Sequence, residues 1–529
     1  MQHHQAAVEV IASQVQNFHQ RQRPFRIYHG TTNSTRQSQH RPENTISTAD
    51  LVNVLEVNTS KQTVTVEPNV PMDGLVQATS TKHGLVPLVV MEFPGITVGG
   101  GFSGTSGESS SFRHGFFDAT VNWIEMVLPN GEITTASKTS QPDLFWGAAS
   151  SFGTLGVVTL LEVQLRPAKP LIELQYYSTS GMDEAMRVFH KATDDPAIEY
   201  LDGIVYARDH VVVCAGRSVD ASSKPASTAP VRFTRPWDEW YYLHVLKRSR
   251  QSSADRPVVD YVPIVDYLFR YDRGGFWVGK YAYRYFLVPF TYITRVLLDW
   301  FMHTRVMYHA LHESGHAKRY IIQDVAVPYS GTGEFVDWLD EKENFGEYPL
   351  WLCPLRHGPG VMERASASAS VAAQSTTSEF EKNANASEKE EEYLMNFGVW
   401  GPARRRSDRS AFLTQNRRLE RKVLDLGGKK WLYAHAYYTE DEFWSIYDKK
   451  QYDALRERYH ASYLPNLYQK VRVDLSPGRQ RSEMGWCEWV KDVVWETRPV
   501  SGVYGVWKAF WGGEYFFRTS SLGSKSKTE

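Results

Sequence analysis

Cysteine is scarce in this chain. Cys214, Cys353 and Cys487 are the three among 529 residues, and they are far apart and odd in number. They exclude a disulfide framework and any cysteine-based metal spacing, and they fit a reducing compartment. Charge of one sign is missing too. Lys plus Arg number 59 against 60 Asp plus Glu, a net charge of -1, so no bulk field draws the chain to nucleic acid. No run of 18 uninterrupted apolar residues occurs. The nearest approach, 285–301, is broken by Pro289, Arg295 and Asp299 and reads as a buried or surface-docked helix. The start, Met1-Gln-His-His-Gln5, is polar and no apolar core follows it, so no secretory leader is expected. The glycosylation sequons at Asn33, Asn58 and Asn385 then read as coincidences. What the chain does have is apolar mass, at 42 % hydrophobic and 13 % aromatic residues, with length for two to four domains.

It also has glycine in one place. Gly99, Gly100, Gly101, Gly104 and Gly107 fall within nine residues, interleaved with Ser103, Thr105, Ser106, Ser109, Ser110 and Ser111. Glycine lets a backbone approach a flat anionic group closely, and small hydroxyls add donors without bulk. A pyrophosphate-bearing cofactor is the expected occupant. Gly99-x-Gly101-x-x-Gly104 is a literal dinucleotide fingerprint, but that motif needs a strand before it and a helix opening at it. Pro94-Gly95 stands upstream, and 108–115 downstream has no helical apolar period. The hairpin signals follow at Val121–Leu128, Pro129-Asn130-Gly131 and Glu132–Ala136. A β-rich neighbourhood without a βα turn is therefore expected.

Along the chain, a short amphipathic helix carries Val8, Ile11, Val15 and Phe18. The strand Phe25–Gly30 runs into a polar loop, 31–36. Strands are expected at 51–57, 63–68, 86–91, 157–166, 171–177, 204–215, 319–328, 347–354, 393–400 and 430–436. Helices are expected at 72–83, 182–193, 408–426 and 440–459, and aromatic-rich helices and loops at 235–315. The pattern is α+β. Residues 363–392, Ala/Ser-rich then Glu/Lys-rich, read as a disordered insertion. The tail beyond 472 carries Trp486, Trp489, Trp495, Trp507 and Trp511 without a clear period, and contact with a membrane interface weighs evenly against packing on the body. His312-Glu-Ser-Gly-His316 matches a zinc-protease motif literally, but Gly315 weakens the helix and no third ligand stands out. A chance match is the preferred reading, with no metal expected. The basic run Arg404–Arg406 with Arg409 reads as a solvated face.

Three glycine loops in this order resemble the FAD-binding domain of the vanillyl-alcohol oxidase/p-cresol methylhydroxylase superfamily. The set Thr97–Ser109, Asp143–Trp146, Gly153–Gly156, Tyr348–Pro354, Leu432–Tyr437 and Glu442–Trp444 resembles the Diminuto-like, 24-dehydrocholesterol reductase family most closely, over about residues 8–470. The resemblance implies a two-part FAD-binding domain at 1–168 and an α+β substrate domain at 169–430. It further implies a segment at 431–470 closing on the FAD site, followed by a tail at 471–529.

It also implies three cofactor loops. Tyr28, His29, Gly30, Thr31, Thr32, Asn33 and Ser34 would wrap the pyrophosphate. Thr97, Val98, Gly99, Gly100, Gly101, Phe102, Ser103, Gly104, Thr105, Ser106, Gly107, Glu108 and Ser109 would approach the pyrophosphate and the isoalloxazine. Gly153, Thr154, Gly156 and Val157 would cover the adenine side or ribityl chain. Many superfamily members bond the flavin covalently through a histidine in the first loop. Asn33 occupies that register here, and no cysteine lies in a flavin loop, so FAD is expected to be non-covalent.

The implied activity is reduction of a sterol side-chain alkene with NADPH as donor, by a protein in the cytoplasm or peripheral on the endoplasmic reticulum membrane. An isolated alkene is not polarised, so proton transfer must lead or accompany hydride transfer. That asks for an acid beside an aromatic wall. Tyr437, Tyr438, His435, Tyr271, Arg273 and Glu92 are the candidates, with Tyr437 favoured. Two alternatives stay open: an oxidase of a carbohydrate or alcohol using oxygen, and a flavin- or sterol-binding protein without turnover.

Overall fold

The computed structural model describes residues 1–29, 41–314, 319–356, 393–404, 408–476 and 499–512. Strands β1 to β16 are numbered in chain order. β1 (Arg26–Tyr28) and β2 (Thr45–Ser47) form a small parallel pair. β3 (Val54–Asn58), β4 (Thr63–Val66), β5 (Leu85–Pro87), β6 (Val121–Val127), β7 (Ile133–Ser137) and β8 (Val157–Pro167) make the first large sheet, in order β3-β4-β8-β6-β7 with β5 also on β8. β9 (Leu171–Thr179), β10 (Tyr200–Ala207), β11 (His210–Val219), β12 (Val258–Pro263), β13 (Tyr320–Pro328), β14 (Leu350–Arg356), β15 (Tyr393–Pro402) and β16 (Lys429–Lys430) make the second, in order β12-β9-β11-β10-β14-β15-β13-β16. Every pairing in the two large sheets is antiparallel. The chain passes from one sheet to the other between Pro167 and Leu171. Helices beside these sheets make the molecule α+β, and the two large antiparallel sheets contain no dinucleotide-type βαβ unit among the described residues.

The N-terminal helix Gln2–Gln20 buries Val8, Ile11 and Val15, a three-and-four spacing that puts them on one face. Each contributes roughly 1.5–3 kcal/mol of apolar burial. His4 on the same helix is buried between Glu67 (2.8 Å) and Glu125 (3.1 Å). Burial alone would depress its imidazole, but the two carboxylates outweigh burial and hold it up at about 9.

Five local expectations need correction. A helix, Val98–Gly104, does open at the glycine cluster. Thr97 caps it, its Oγ1 accepting from the Gly100 N–H at 3.2 Å, a signal that outweighs the helix-weakening glycines. The expected strand 86–91 shrinks to Leu85–Pro87. The expected strand 430–436 shrinks to Lys429–Lys430, and Tyr433, His435 and Tyr437 follow it in irregular chain. The expected helix 440–459 is two helices, Glu440–Ile446 and Lys449–Arg458, the second capped by the Asp448 side chain. The tail, expected to lack a period, contains the helix Val500–Gly512. The insertion 363–392 lies outside the described residues.

Arg356, the last residue of β14, stands opposite Tyr393, the first of β15. Their ends are already held together, so a short turn could close the connection. Replacing 358–391 with a four-residue Asn/Gly turn should raise stability by no more than about 2 kcal/mol, because each halving of a loop recovers only about 0.6 kcal/mol of closure cost. Thermal melts and flavin absorbance check this, and insoluble protein would show that the segment supports the fold.

A cavity between the two sheets

Between the two sheets lies a cavity of about 930 Å³. That is the upper part of the range for small-molecule sites, ~300–1,000 Å³. One wall is the helix Val98–Gly104 and the turn after it. Opposite stand β13, β14 and β15 and the chain from Trp431 to Tyr437. Three hydrogen bonds tie the chain from Trp431 to Lys470 back to the glycine loops. Trp431 Nε1–H donates to the Thr105 carbonyl at 2.9 Å, and the Tyr452 hydroxyl donates to Thr154 Oγ1 at 2.7 Å. Lys470 Nζ donates to the Phe152 carbonyl.

Of the expected cofactor residues, His29, Thr97, Gly99, Gly100, Ser103, Gly104, Ser106, Gly107, Glu108, Gly153, Gly156 and Val157 line this cavity. The structure thus draws parts of all three loops to one space. Val98, Gly101 and Phe102 turn inward instead. Val98 and Phe102 are core residues, Phe102 packing on Phe145 at 5.6 Å. Gly101 makes room for Met91. The Ser109 hydroxyl accepts from Tyr267, Thr105 accepts from Trp431, and Thr154 accepts from Tyr452. Tyr28 lies in β1 outside the lining. Gly30, Thr31, Thr32, Asn33 and Ser34 fall outside the described residues.

The glycines act differently from the simple expectation of open N–H groups. Val98 N–H bonds the Val70 carbonyl (3.0 Å), Gly99 N–H the Pro68 carbonyl (2.8 Å) and Gly100 N–H the Thr97 side chain. The first turn is therefore satisfied by protein. What glycine supplies is proximity. A Cβ on Gly99 would lie 2.7 Å from Pro68 Cβ, and one on Gly107 would lie 2.8 Å from the Leu355 side chain. A Cβ on Gly104 would meet nothing within 4 Å, because that side of the residue faces the cavity.

The lining is chemically divided. Arg26, Lys470 and Arg472 contribute cationic side chains, together with His29 and the Gly153 turn. Phe93, Phe276, Tyr308, Trp351 and Trp400 supply an aromatic wall. Phe276 sits 4.4 Å from Trp400 and 5.1 Å from Trp351, and Phe93 lies 5.6 Å from Phe276, ring centre to ring centre. Among these rings lie three buried carboxyls, Glu92, Glu108 and Asp324. Burial raises all three. Glu92 stands at about 8, despite an ion pair to the buried Arg270 at 2.7 Å. Glu108 rises by burial and by the neighbouring Glu92. Arg270 also pairs with Asp202 at 2.9 Å, which accepts from the Tyr271 hydroxyl (2.9 Å) and Trp351 Nε1–H (3.2 Å). This network props the aromatic wall from behind.

Asp324 was missed by sequence reasoning. It sits on β13 in Ile321-Ile-Gln-Asp-Val-Ala-Val327, where alternate residues face opposite sides. A carboxylate inside an apolar strand was the available signal. Its Oδ2 accepts from the Tyr433 hydroxyl, and its buried Oδ1 has no hydrogen-bond partner. Burial lifts this acid to about 7, with the Tyr433 hydrogen bond pulling the other way.

Tyr437, the favoured acid, also lines the cavity. It packs against Phe412 in the core of the second sheet, and burial pushes its hydroxyl well above the ordinary range, making it a poorer acid. Tyr271 is consumed by Asp202, and Arg273 by Asp299 at 2.7 Å. Of the zinc-motif pair, His312 reaches the cavity from the end of the helix Thr304–Ser314, and His316 lies outside the described residues.

Comparison with known proteins agrees with this geometry. The family model described as an FAD binding domain matches residues 6–137. A delta(24)-sterol reductase of Homo sapiens is 26 % identical over 432 residues, 80 % of this chain and 76 % of that protein. A delta(24)-sterol reductase of Arabidopsis thaliana is 29 % identical over 318 residues, 57 % of this chain and 54 % of that one. Cytokinin dehydrogenase 4 of Oryza sativa is 35 % identical over 129 residues, 23 % of this chain and 24 % of that protein. The chain binds FAD, and the residues present suit the group. The glycine-bared wall at Gly104 accepts a flat molecule, the Arg26/Lys470/Arg472 side chains suit a pyrophosphate, and the long cavity joins both to the aromatic wall.

Proposed function

Because the chain belongs to the delta(24)-sterol reductase family of FAD-binding proteins, we infer that it is an FAD-dependent oxidoreductase reducing a carbon–carbon double bond in a sterol side chain, with NADPH as the electron donor. The observation that carries the reading is the aromatic wall around a buried, protonatable carboxyl, in the same cavity as the cofactor-facing glycines. A sterol buries its apolar length against Phe93, Phe276, Trp351 and Trp400. A sugar in that place would leave its hydroxyls unpaired.

Reduced FAD, when bound, supplies the hydride to one alkene carbon. The protein must deliver the proton to the other carbon and support the positive charge that develops there. We assign the proton to Asp324 Oδ1. Tyr433 donates to Oδ2, which orients the carboxyl and leaves the other oxygen to carry the acid hydrogen. The rings of Phe276, Trp351 and Trp400, which line the same cavity, would support cationic character in the substrate. One hydride and one proton account for the two hydrogens gained. Tyr437 then serves as a packed lining residue.

Held non-covalently, FAD should leave the protein on acid precipitation. NADPH should bleach the bound flavin anaerobically, and desmosterol, but no aldonolactone, should restore its colour with a reduced sterol as product. Rapid oxygen-coupled turnover of a sugar, with no response to sterols, would favour the oxidase reading.

A further inference from the structure

The helix Val500–Gly512 is built inside out. Its small residues face the protein. Gly502 takes the Tyr285 ring, its N–H donating to the Tyr285 hydroxyl at 3.2 Å, and Ser501 Oγ meets the same hydroxyl at 3.2 Å. Gly505 lies against the Ala310 carbonyl, where a Cβ would stand 2.6 Å away. The large apolar residues face out: Val503, Trp507, Phe510 and Trp511, the last 71 % exposed. Packing against the body would have called for the reverse arrangement. Trp300 meets Phe510 at 6.0 Å and carries the surface on to Tyr292, Ile293 and Leu297, the last 75 % exposed. Exposed residues of this size in one patch mark a contact surface.

Its charge indicates what covers it. Asp299 is the single carboxylate in 279–312, and it is buried against Arg273 and His303; 499–512 holds none. The exposed charged side chains of the bordering helices Val278–Phe286 and Val500–Gly512 are Lys280, Arg284 and Lys508. Tryptophan and tyrosine among aliphatic residues, on helices that carry Lys280, Arg284 and Lys508 and no carboxylate, is the chemistry of a protein resting in the headgroup region of an anionic bilayer. No helix among the described residues is long and apolar enough to cross a membrane.

We propose that this face, from Tyr292 to Trp300 and from Val503 to Trp511, docks the protein on the surface of an anionic lipid bilayer. One helix, Thr304–Ser314, separates the face from the cavity. It packs the docking helix through Ala310 and lines the cavity with Tyr308 and His312. A water-insoluble substrate held in the bilayer would thus lie one helix from the site that takes it.

The test uses the FAD-loaded full chain and vesicles of phosphatidylcholine alone or with 30 % phosphatidylserine, a roughly chosen anionic load. Wild type should sediment with vesicles, more strongly with the anionic ones. Trp507→Ser/Phe510→Ser/Trp511→Ser should bind at least about tenfold more weakly, with unchanged flavin content. Lys280→Gln/Arg284→Gln/Lys508→Gln should lose the anionic preference and keep its fold. Wild type that stays in the supernatant, or a triple variant that binds as tightly, would overturn the proposal. A lipid-free dimer that the triple variant dissociates would assign the face to a second copy of the chain. Vesicle binding does not depend on the sterol reading; a chain that bound lipid but reduced no sterol would lose only that reading.

Discussion

Asp324→Asn should slow reduction of the sterol double bond about 10²–10⁴-fold, the usual worth of a positioned general acid, and leave flavin reduction by NADPH within about twofold. Asparagine keeps the shape of the side chain and removes the acid hydrogen. The experiment reduces the flavin first, then mixes with sterol and follows reoxidation. The pH profile separates a proton donor from a structural residue. Asp324 titrates at about 7, so its acid form prevails below that value. The wild-type sterol step should be flat at low pH and fall about tenfold per unit above 7. Asp324→Asn should lose that limb. Tyr433→Phe should move it upward, because the tyrosine's hydrogen bond favours the carboxylate form.

Stability moves with pH in the same direction. A carboxyl raised in the folded state contributes fully below its ordinary range near 4, and that contribution is lost as pH rises through 7. Asp324→Asn should therefore melt no lower than wild type at pH 8. Tyr437→Phe should leave the rate and the limb unchanged. A sterol step with wild-type rate in Asp324→Asn and a slow one in Tyr437→Phe would return the proton to Tyr437.

The proposed acid shows what sequence order hides. Tyr437 stands in a stretch of motif, Leu432–Tyr437, and so drew attention. Asp324 stands in a strand whose neighbours read as plain core, and its meaning came from β13 facing the cavity beside Tyr433, 109 residues later. The Glu92, Asp202 and Arg270 network is non-local in the same way. Local signals served better. The spacing of Val8, Ile11 and Val15 and the turn at Pro129–Gly131 each set an element, since periodicity and turn chemistry act within a few residues. The helix at Val98 escaped notice because its glycines hide the apolar period, while its cap at Thr97 was in plain view. The helix Val500–Gly512 has no inward apolar stripe to find, because its small residues are the ones that pack.

Glycine substitutions separate the cofactor wall from the core. Gly104→Leu should give a folded protein that retains little or no FAD. Its new Cβ meets no protein atom within 4 Å and projects into the cavity, so the side chain takes space that the cofactor needs. Gly104 also ends the helix Val98–Gly104, where leucine is the better helix former. The flavin-free variant should therefore match or exceed flavin-free wild type in stability, by up to about 1 kcal/mol. Gly99→Leu should do the reverse. Its Cβ would press on Pro68 Cβ at 2.7 Å and the Pro68 carbonyl at 3.1 Å, and backbone cannot swing aside. Overpacking of that kind costs about 1–3 kcal/mol before any cofactor is considered. The measurement is flavin-to-protein ratio after gel filtration, paired with melts of both flavin-free variants. Wild-type flavin content in Gly104→Leu would place the cofactor elsewhere, since no ring system could share that wall with a leucine side chain.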